Sequence, residues 1–218
     1  MKIQKFLHSC LLIEHEGARV LFDPGAFSFI EGLVKPDVFK NIDAIFITHN
    51  HADHVDISNL KIILKNNPTA SIYGNSDTVE LLKKEGITVL LFEEGEKRIK
   101  GLPIWAMLAQ HGTVLSSAPK NTAYIVAGEL LITGDSFDEE LEKLKGVKVL
   151  MLPITAPWLR SVDAAAFATA VGAKTVIPVH DGYVKDFFLK GRYSAFGAVF
   201  KEVSIDFHPL QTGEVFEV

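Results

Sequence analysis

Over the first 23 positions, apolar residues fall in short β-rich runs, KIQKF, CLLIEH and ARVLF. A turn at Glu16-Gly17 separates the last two, and Asp23-Pro24-Gly25 closes the set. Turn residues that bracket such runs predict hairpin strands. Residues 24–41 mix Phe27, Phe29 and Phe39 with Gly32 and Pro36 and read as a long connection, of the kind that often covers a functional site. DAIFITH then carries an unbroken apolar centre and ends on a histidine, the pattern of a strand buried on both faces. The spacing predicts a helix over 56–66, a strand at ASIYG, and a helix over 75–85 capped by Asn75 or Ser76 and stopped by Gly86. ITVLLF, EKRIK and LPIWAMLAQH continue as strands, and NTAYIVAGELLITGD reads as a hairpin through Gly128-Glu129. A helix near 138–144, the strand VKVLMLP, an alanine-rich helix near 161–171 and the strand TVIPVH follow. A helix near 193–201 and two short strands complete the chain.

The order of these elements constrains the fold. A strand-rich stretch with hairpins is followed by strands alternating with helices, and this happens twice. Neither a purely parallel α/β sheet nor an all-β sandwich fits that order. Two packed sheets with helices outside do fit, each sheet fed by half of the chain. No solenoid-period repeat, low-complexity tract or linker interrupts the 218 residues, so 1–218 reads as a single domain.

Composition narrows the function classes. With 48% hydrophobic and 22% charged residues the chain can bury a large core and is not a disordered segment. Its 22 basic and 27 acidic residues give a net charge of −5, which disfavours a nucleic-acid partner. The single cysteine, Cys10, excludes an intramolecular disulfide and a thiolate zinc cage, and suits a reducing compartment. The apolar region Val162–Val179 is broken by Asp163 and Lys174, and the N-terminal run meets Glu14 and His15 too early for a signal-peptide core. The expectation is a cytoplasmic protein without a membrane span.

The histidines carry the chemistry. His49, His51, Asp53 and His54 sit within THNHADH, directly after the buried strand DAIFI. His111, Asp135 and His180 each end a further predicted strand, where ligands collect in α/β architectures. His49 and His51 are two apart, so extended backbone points both rings the same way. Asp53 and His54 are expected on the first turn of a helix, facing a different direction. One short segment can therefore serve two adjacent metals. Imidazole and carboxylate donors suit zinc, iron or manganese.

THNHADH, with His111, Asp135 in ITGDS and His180 in PVHDG, resembles the metallo-β-lactamase superfamily over essentially the whole chain. FLHSCLLIE and RVLFDPG resemble the branch that includes L-ascorbate-6-phosphate lactonase and many metal-dependent hydrolases. The resemblance implies an α/β (α+β) fold, a four-layer αββα sandwich of two mixed sheets. It implies a dinuclear site with two divalent metal ions, zinc by default and manganese or iron with the same donors. By position, His49, His51 and His111 match the first-site ligands. Asp53, His54 and His180 match the second, and Asp135 matches the bridging carboxylate. True β-lactamases carry cysteine where Asp135 stands, which argues against antibiotic hydrolysis. Flavodiiron proteins carry Glu where His51 stands, which argues against redox chemistry.

The expected activity is hydrolysis of a small ester, lactone or phosphorylated sugar acid by a metal-bridging hydroxide, with Asp53 and Asp135 as the catalytic carboxylates. A phosphodiesterase or nuclease and a non-catalytic metal-binding protein are the alternatives. Asp23 resembles the aspartate that supports the histidine loop, and His8 in FLHSC reads either as a buried, hydrogen-bonded core histidine, the favoured role, or as one that reaches the pocket. Trp158 and Tyr183 read as packing or pocket lining, and Phe27 and Phe29 as a cover or core. Lys120, Arg160, Lys185 and Arg192 are the cations available to an anionic small-molecule substrate. His15 and His208 read as surface residues, and a homo-oligomer of unspecified size fits the family.

Overall fold

The computed structural model describes residues 1–218. β1 (Lys2–Lys5), β2 (Leu11–His15) and β3 (Ala18–Phe22) are antiparallel neighbours. The β2–β3 link is the two-residue turn Glu16-Gly17 with φ of 49° and 86°. Positive φ at both positions matches the twist of the flanking strands. A short helix, α1 (Ala26–Phe29), and two single 3-10 turns occupy the connection to β4 (Ala44–Phe46). α2 (Ile57–Asn66), β5 (Ser71–Gly74), α3 (Ser76–Lys84) and β6 (Leu90–Leu91) complete the parallel half of this first sheet.

The second sheet starts with β7 (Gly95–Ile99), β8 (Leu102–Ala109), β9 (Asn121–Val126) and β10 (Leu130–Ile132), all antiparallel. β11 (Val149–Pro153), α4 (Ser161–Val171), β12 (Thr175–Val179), α5 (Asp186–Glu202) and β13 (Asp206–Phe207) add its parallel half. β14 (Val215–Glu217) returns to pair with β1. The strand orders are β14-β1-β2-β3-β4-β5-β6 and β13-β12-β11-β10-β9-β8-β7.

Three separate cores make this a four-layer αββα sandwich, the architecture that the resemblance implies. Along β4 the side chains alternate as strand geometry requires. Ala44 and Phe46 point between the sheets, while Ile45 and Ile47 point toward Leu60 and Ile63 of α2 and Leu82 of α3. On the far side, Leu150 and Leu152 of β11 meet Phe167 and Ala168 of α4 and Phe196 and Phe200 of α5. Between the sheets, Phe46 stacks on Tyr73 with centroids 5.0 Å apart, and Tyr124 donates its hydroxyl to Ile47 O at 3.0 Å.

Five expectations change. The last strand crosses back to the first sheet, so the two halves of the chain are not wholly separate. α5 begins seven residues before the expected 193, because its first turn presents Phe187, 77% exposed, and hides the amphipathic pattern. ITVLLF contributes only the exposed pair Leu90–Leu91, and 138–144 forms a 3-10 turn over Glu139–Lys143. The hairpin after β9 turns through Ala127 and Gly128, both with positive φ, one residue earlier than expected.

One side chain ties the layers together beneath the histidine segment. Asn75 caps α3 by accepting from Thr78 N at 3.1 Å, and its Nδ2 donates to Thr48 O and Lys120 O, both at 2.9 Å. Asn75→Asp keeps the cap and removes both donations. Thr48 O keeps its bond from Thr122 N, but a carboxylate oxygen would then face two carbonyl oxygens in place of a donor, at a cost of about 1–3 kcal/mol, so Asn75→Asp is expected to unfold at clearly lower urea concentration than wild type.

Candidate metal centre

β1, β3, β4, β8, β10 and β12 all finish at one edge of the sandwich, and the functional side chains follow their C-terminal ends. Asp23 follows β3, His49 lies three residues past β4, and His111 two past β8. Asp135 lies three past β10, and His180 directly follows β12. His8 sits in the β1–β2 connection at the same edge.

Two groups of donors result. His49, His51, His111 and Asp135 form one, and His8, Asp53, His54 and His180 the other, each with its ligating atoms within 4.8 Å of one another. Asp135 faces both. Its Oδ2 is 3.6 Å from His111 Nε2, while its Oδ1 is 3.3 Å from His54 Nε2 and 3.1 Å from His180 Nε2. All seven sequence-selected residues are thus brought together. Asp53 and His54 occupy a tight turn ahead of α2 rather than its first turn, with His54 N donating to His51 O at 3.0 Å. Asp56 is the true cap of α2, accepting from Asn59 N at 2.8 Å.

A ring of oxygen acceptors sets the imidazole tautomers. His49 Nδ1 donates to Thr48 Oγ1 at 3.0 Å, and His54 Nδ1 donates to Asp23 Oδ2 at 2.8 Å. His111 Nδ1 donates to Gly112 O at 2.6 Å, and His180 Nδ1 donates to Thr155 O. A ring with its proton on Nδ1 leaves a lone pair on Nε2, the form that binds metal. Asp23 in turn is held by Thr48, which donates its N–H at 2.8 Å and its hydroxyl at 2.7 Å. The two carboxylates are also held: Trp158 Nε1 donates to Asp135 Oδ2, and Tyr183 Oη to Asp53 Oδ2, each at 3.0 Å.

The donor set fits a divalent cation. Nε2 of His54, His111 and His180 and Oδ1 of Asp135 are buried without a hydrogen-bond partner. Leaving such atoms unsatisfied is costly, and nitrogen and oxygen donors without thiolate suit zinc, manganese or iron alike.

Titration behaviour follows from the same crowding. Burial opposes a charge on His180, yet Asp135 and Asp53 outweigh it and bring the ring up to about 9. Burial likewise opposes charge on His54, and Asp135 with Asp23 holds it well above the ordinary imidazole value. Burial would raise Asp135, but His180 and His54 hold it well below the carboxylate range. Burial and the nearby His54 push His49 well down, and burial with His180 pushes His8 down to about 3. In the metal-free chain, protons on His54 and His180 therefore offset the two carboxylates.

Residues 2–180 match the family described as the β-lactamase superfamily domain. The chain belongs to the metallo-β-lactamase superfamily. It is 32% identical over 192 residues to protein Rv0786c of Mycobacterium tuberculosis, covering 84% of this chain and 85% of that one. It is 31% identical over 196 residues to a UPF0173 metal-dependent hydrolase of Alkaliphilus metalliredigens, covering 83% and 85%. The metallo-β-lactamase fold protein YhfI of Bacillus subtilis superimposes with a TM-score of 0.76 at 18% identity, covering 99% of this chain and 98% of that one. No helix is long and apolar enough to cross a membrane.

Against this superfamily frame, several residues have more specific surroundings than their sequence context suggested. His8 is fully buried and donates Nε2 to Asp53 Oδ2 at 3.1 Å. Phe27 packs edge-on against His8 and Tyr183, whereas Phe29 joins Phe39 in the outer core. Thr48, Asn121, Thr155 and Asp181 are buried polar residues at the centre that sequence inspection passed over. Polar residues flanking ligand positions at strand ends are the signal that could have found them. His15 and His208 are both half-buried, away from the centre. Three of the four candidate cations are engaged: Lys120 with Glu93 at 3.1 Å, Arg160 with Asp163 at 3.6 Å, and Arg192 over the Phe188 ring.

Two expectations follow. Gly25 leaves no room for a side chain, since a Cβ there would lie 1.8 Å from Asp53 O. Gly25→Ala must displace the turn carrying Asp53 and His54, with overpacking costing about 1–3 kcal/mol. A lower melting temperature together with weaker Zn²⁺ binding checks it. The second concerns protons. Because the His180 pKa is raised to about 9, its ion pairing supports the metal-free fold below the ordinary imidazole value and is lost as pH climbs through about 9. Zn²⁺ binding near pH 7 should therefore release protons from His54 and His180, and its affinity should rise with pH up to about 9. Calorimetry in buffers of different ionisation enthalpy reads the release directly.

Proposed function

We propose that the chain is a dinuclear metal-dependent hydrolase acting on a small ester or lactone. The observation that carries the reading is Asp135, whose two oxygens face two separate donor groups. His49, His51 and His111 would hold one ion, Asp53, His54 and His180 the other, and Asp135 both. Divalent ions so held supply hydroxide near neutral pH and polarise a carbonyl group. The superfamily assignment and curated relatives named as metal-dependent hydrolases support the class. Residues 1–218 act as one unit, because strands from both sheets converge on the centre.

The protein's own residues suit a carbonyl substrate. A cleft of about 600 Å³ beside His111 is lined by Leu108, Gln110, Thr113, Ser116 and Asn121, with Lys120 already paired. A second cleft shares His111 and is walled by Trp158 and Phe137. Gly112 admits the Trp158 ring, because a Cβ at 112 would lie 2.2 Å from it. Trp158 can thereby present an apolar face to the substrate while its N–H steadies Asp135.

The test pairs composition with turnover. Elemental analysis of zinc-reconstituted protein is expected to give two ions per chain. Aryl esters and lactones should be hydrolysed, and Asp135→Ala should lose more than the ~100-fold attached to losing an outer-sphere partner. Fewer than one ion per chain, or equal turnover by the variant, would sink the reading. Preferential cleavage of bis-aryl phosphodiesters would move the protein to the phosphodiesterase class.

A further inference from the structure

The second donor group holds four residues where three ligands plus a shared carboxylate would suffice, and His8 is the extra one. Distance alone would make it a ligand. Its hydrogen bonds say otherwise. Gly182 N donates to His8 Nδ1 at 3.0 Å, and a backbone N–H can only donate. Nδ1 must therefore carry a lone pair, and the proton of the neutral ring sits on Nε2, which points to Asp53 Oδ2 at 3.1 Å. His49, His54, His111 and His180 show the opposite arrangement, with Nδ1 protonated against oxygen acceptors.

The ring has little freedom to exchange these roles. His8 takes a left-handed backbone with φ of 66°. Its N–H donates to Asp181 Oδ1 at 3.1 Å, and its carbonyl accepts from His180 N at 3.3 Å. Asp181 is buried, and its Oδ2 accepts from Lys5 Nζ and from Tyr193 Oη. A Cβ on residue 182 would crowd His8 Nδ1 at 3.1 Å, so glycine permits the close backbone donor. Tyr183, the next residue, supplies the second donor to the same Asp53 oxygen.

We propose that His8 is a positioning residue and not a metal ligand: with Tyr183 it donates a hydrogen bond that aims Asp53 at the second ion. This rests on the dinuclear reading above. The turn formed by residues 6–10 and the 180–183 segment are thereby joined into one clamp on Asp53, built across the two sheets.

Long-range ¹H–¹⁵N correlation on histidine-labelled protein tests the assignment. His8 is expected to show a protonated Nε2 and bare Nδ1 without metal, and to keep that pattern as Zn²⁺ is added while the ligand histidines shift. Metal binding gives the second readout. His8→Ala should keep the wild-type ion count with affinity for the second ion weaker by roughly 10–100-fold. His8→Gln, which retains an N–H donor, should recover most of that affinity. Loss of the Nε2 proton on Zn²⁺ addition, or His8→Gln and His8→Ala both losing the second ion as fully as His180→Ala, overturns the positioning role alone. Wild type that takes up no Zn²⁺ overturns the dinuclear reading and this inference with it, a result distinct from the other two.

Discussion

Two carboxylates and a crowd of imidazoles share a nearly dry edge between two sheets, and that electrostatic constraint organises everything around it. Asp53 and Asp135 are 8% and 3% exposed, so water cannot screen their charge. Positive charge must come from protons or from metal, and the polar surroundings are arranged for the second. Acceptors placed behind His49, His54, His111 and His180 hold the Nδ1 proton and turn Nε2 inward. Donors placed behind Asp53 and Asp135 fix which oxygen faces the centre. The ligand atoms are thus aimed largely by residues that would never touch a metal.

That arrangement is maintained against local backbone preference. His8, Asp23 and His180 all adopt positive φ, at 66°, 44° and 60°. Such conformations cost non-glycine residues about 1–3 kcal/mol each and persist where the surroundings over-determine them. Here the surroundings are identifiable. Asp23 is held by Thr48 and His54, and His8 and His180 are hydrogen-bonded to each other's neighbourhood through Asp181 and Thr155. The sharp turn at each strand end lets a side chain leave the sheet and face the centre.

Much of this was legible in the chain. The β4 segment announced itself because AIFI is apolar on both faces and THNHADH follows at once. The donor residues were legible for the same reason: each ends a strand, and strand ends share an edge. His8 was harder, because a single histidine in FLHSC has no spacing partner, and its role depends on Gly182, 174 positions away. Tyr183 and Trp158 were visible as aromatics after strands, but their hydrogen bonds to Asp53 and Asp135 depend on loop conformation. The start of α5 escaped because Phe187 and Phe188 are apolar and exposed, which helical periodicity cannot anticipate. The crossing of β14 escaped because three residues carry too little pattern to name a distant partner.

That crossing has a consequence for how the molecule is assembled. Lys5 exchanges backbone hydrogen bonds with Gly213 and Glu214, and Gln4 reaches Gly213 across 209 positions. The strand leading into His8 is therefore held on one flank by its sequence neighbour β2 and on the other by residues more than 200 positions away. The loop that carries His8 is thus anchored by contacts of very different sequence separation, and long-range pairings of this kind are the slow ones to form in folding.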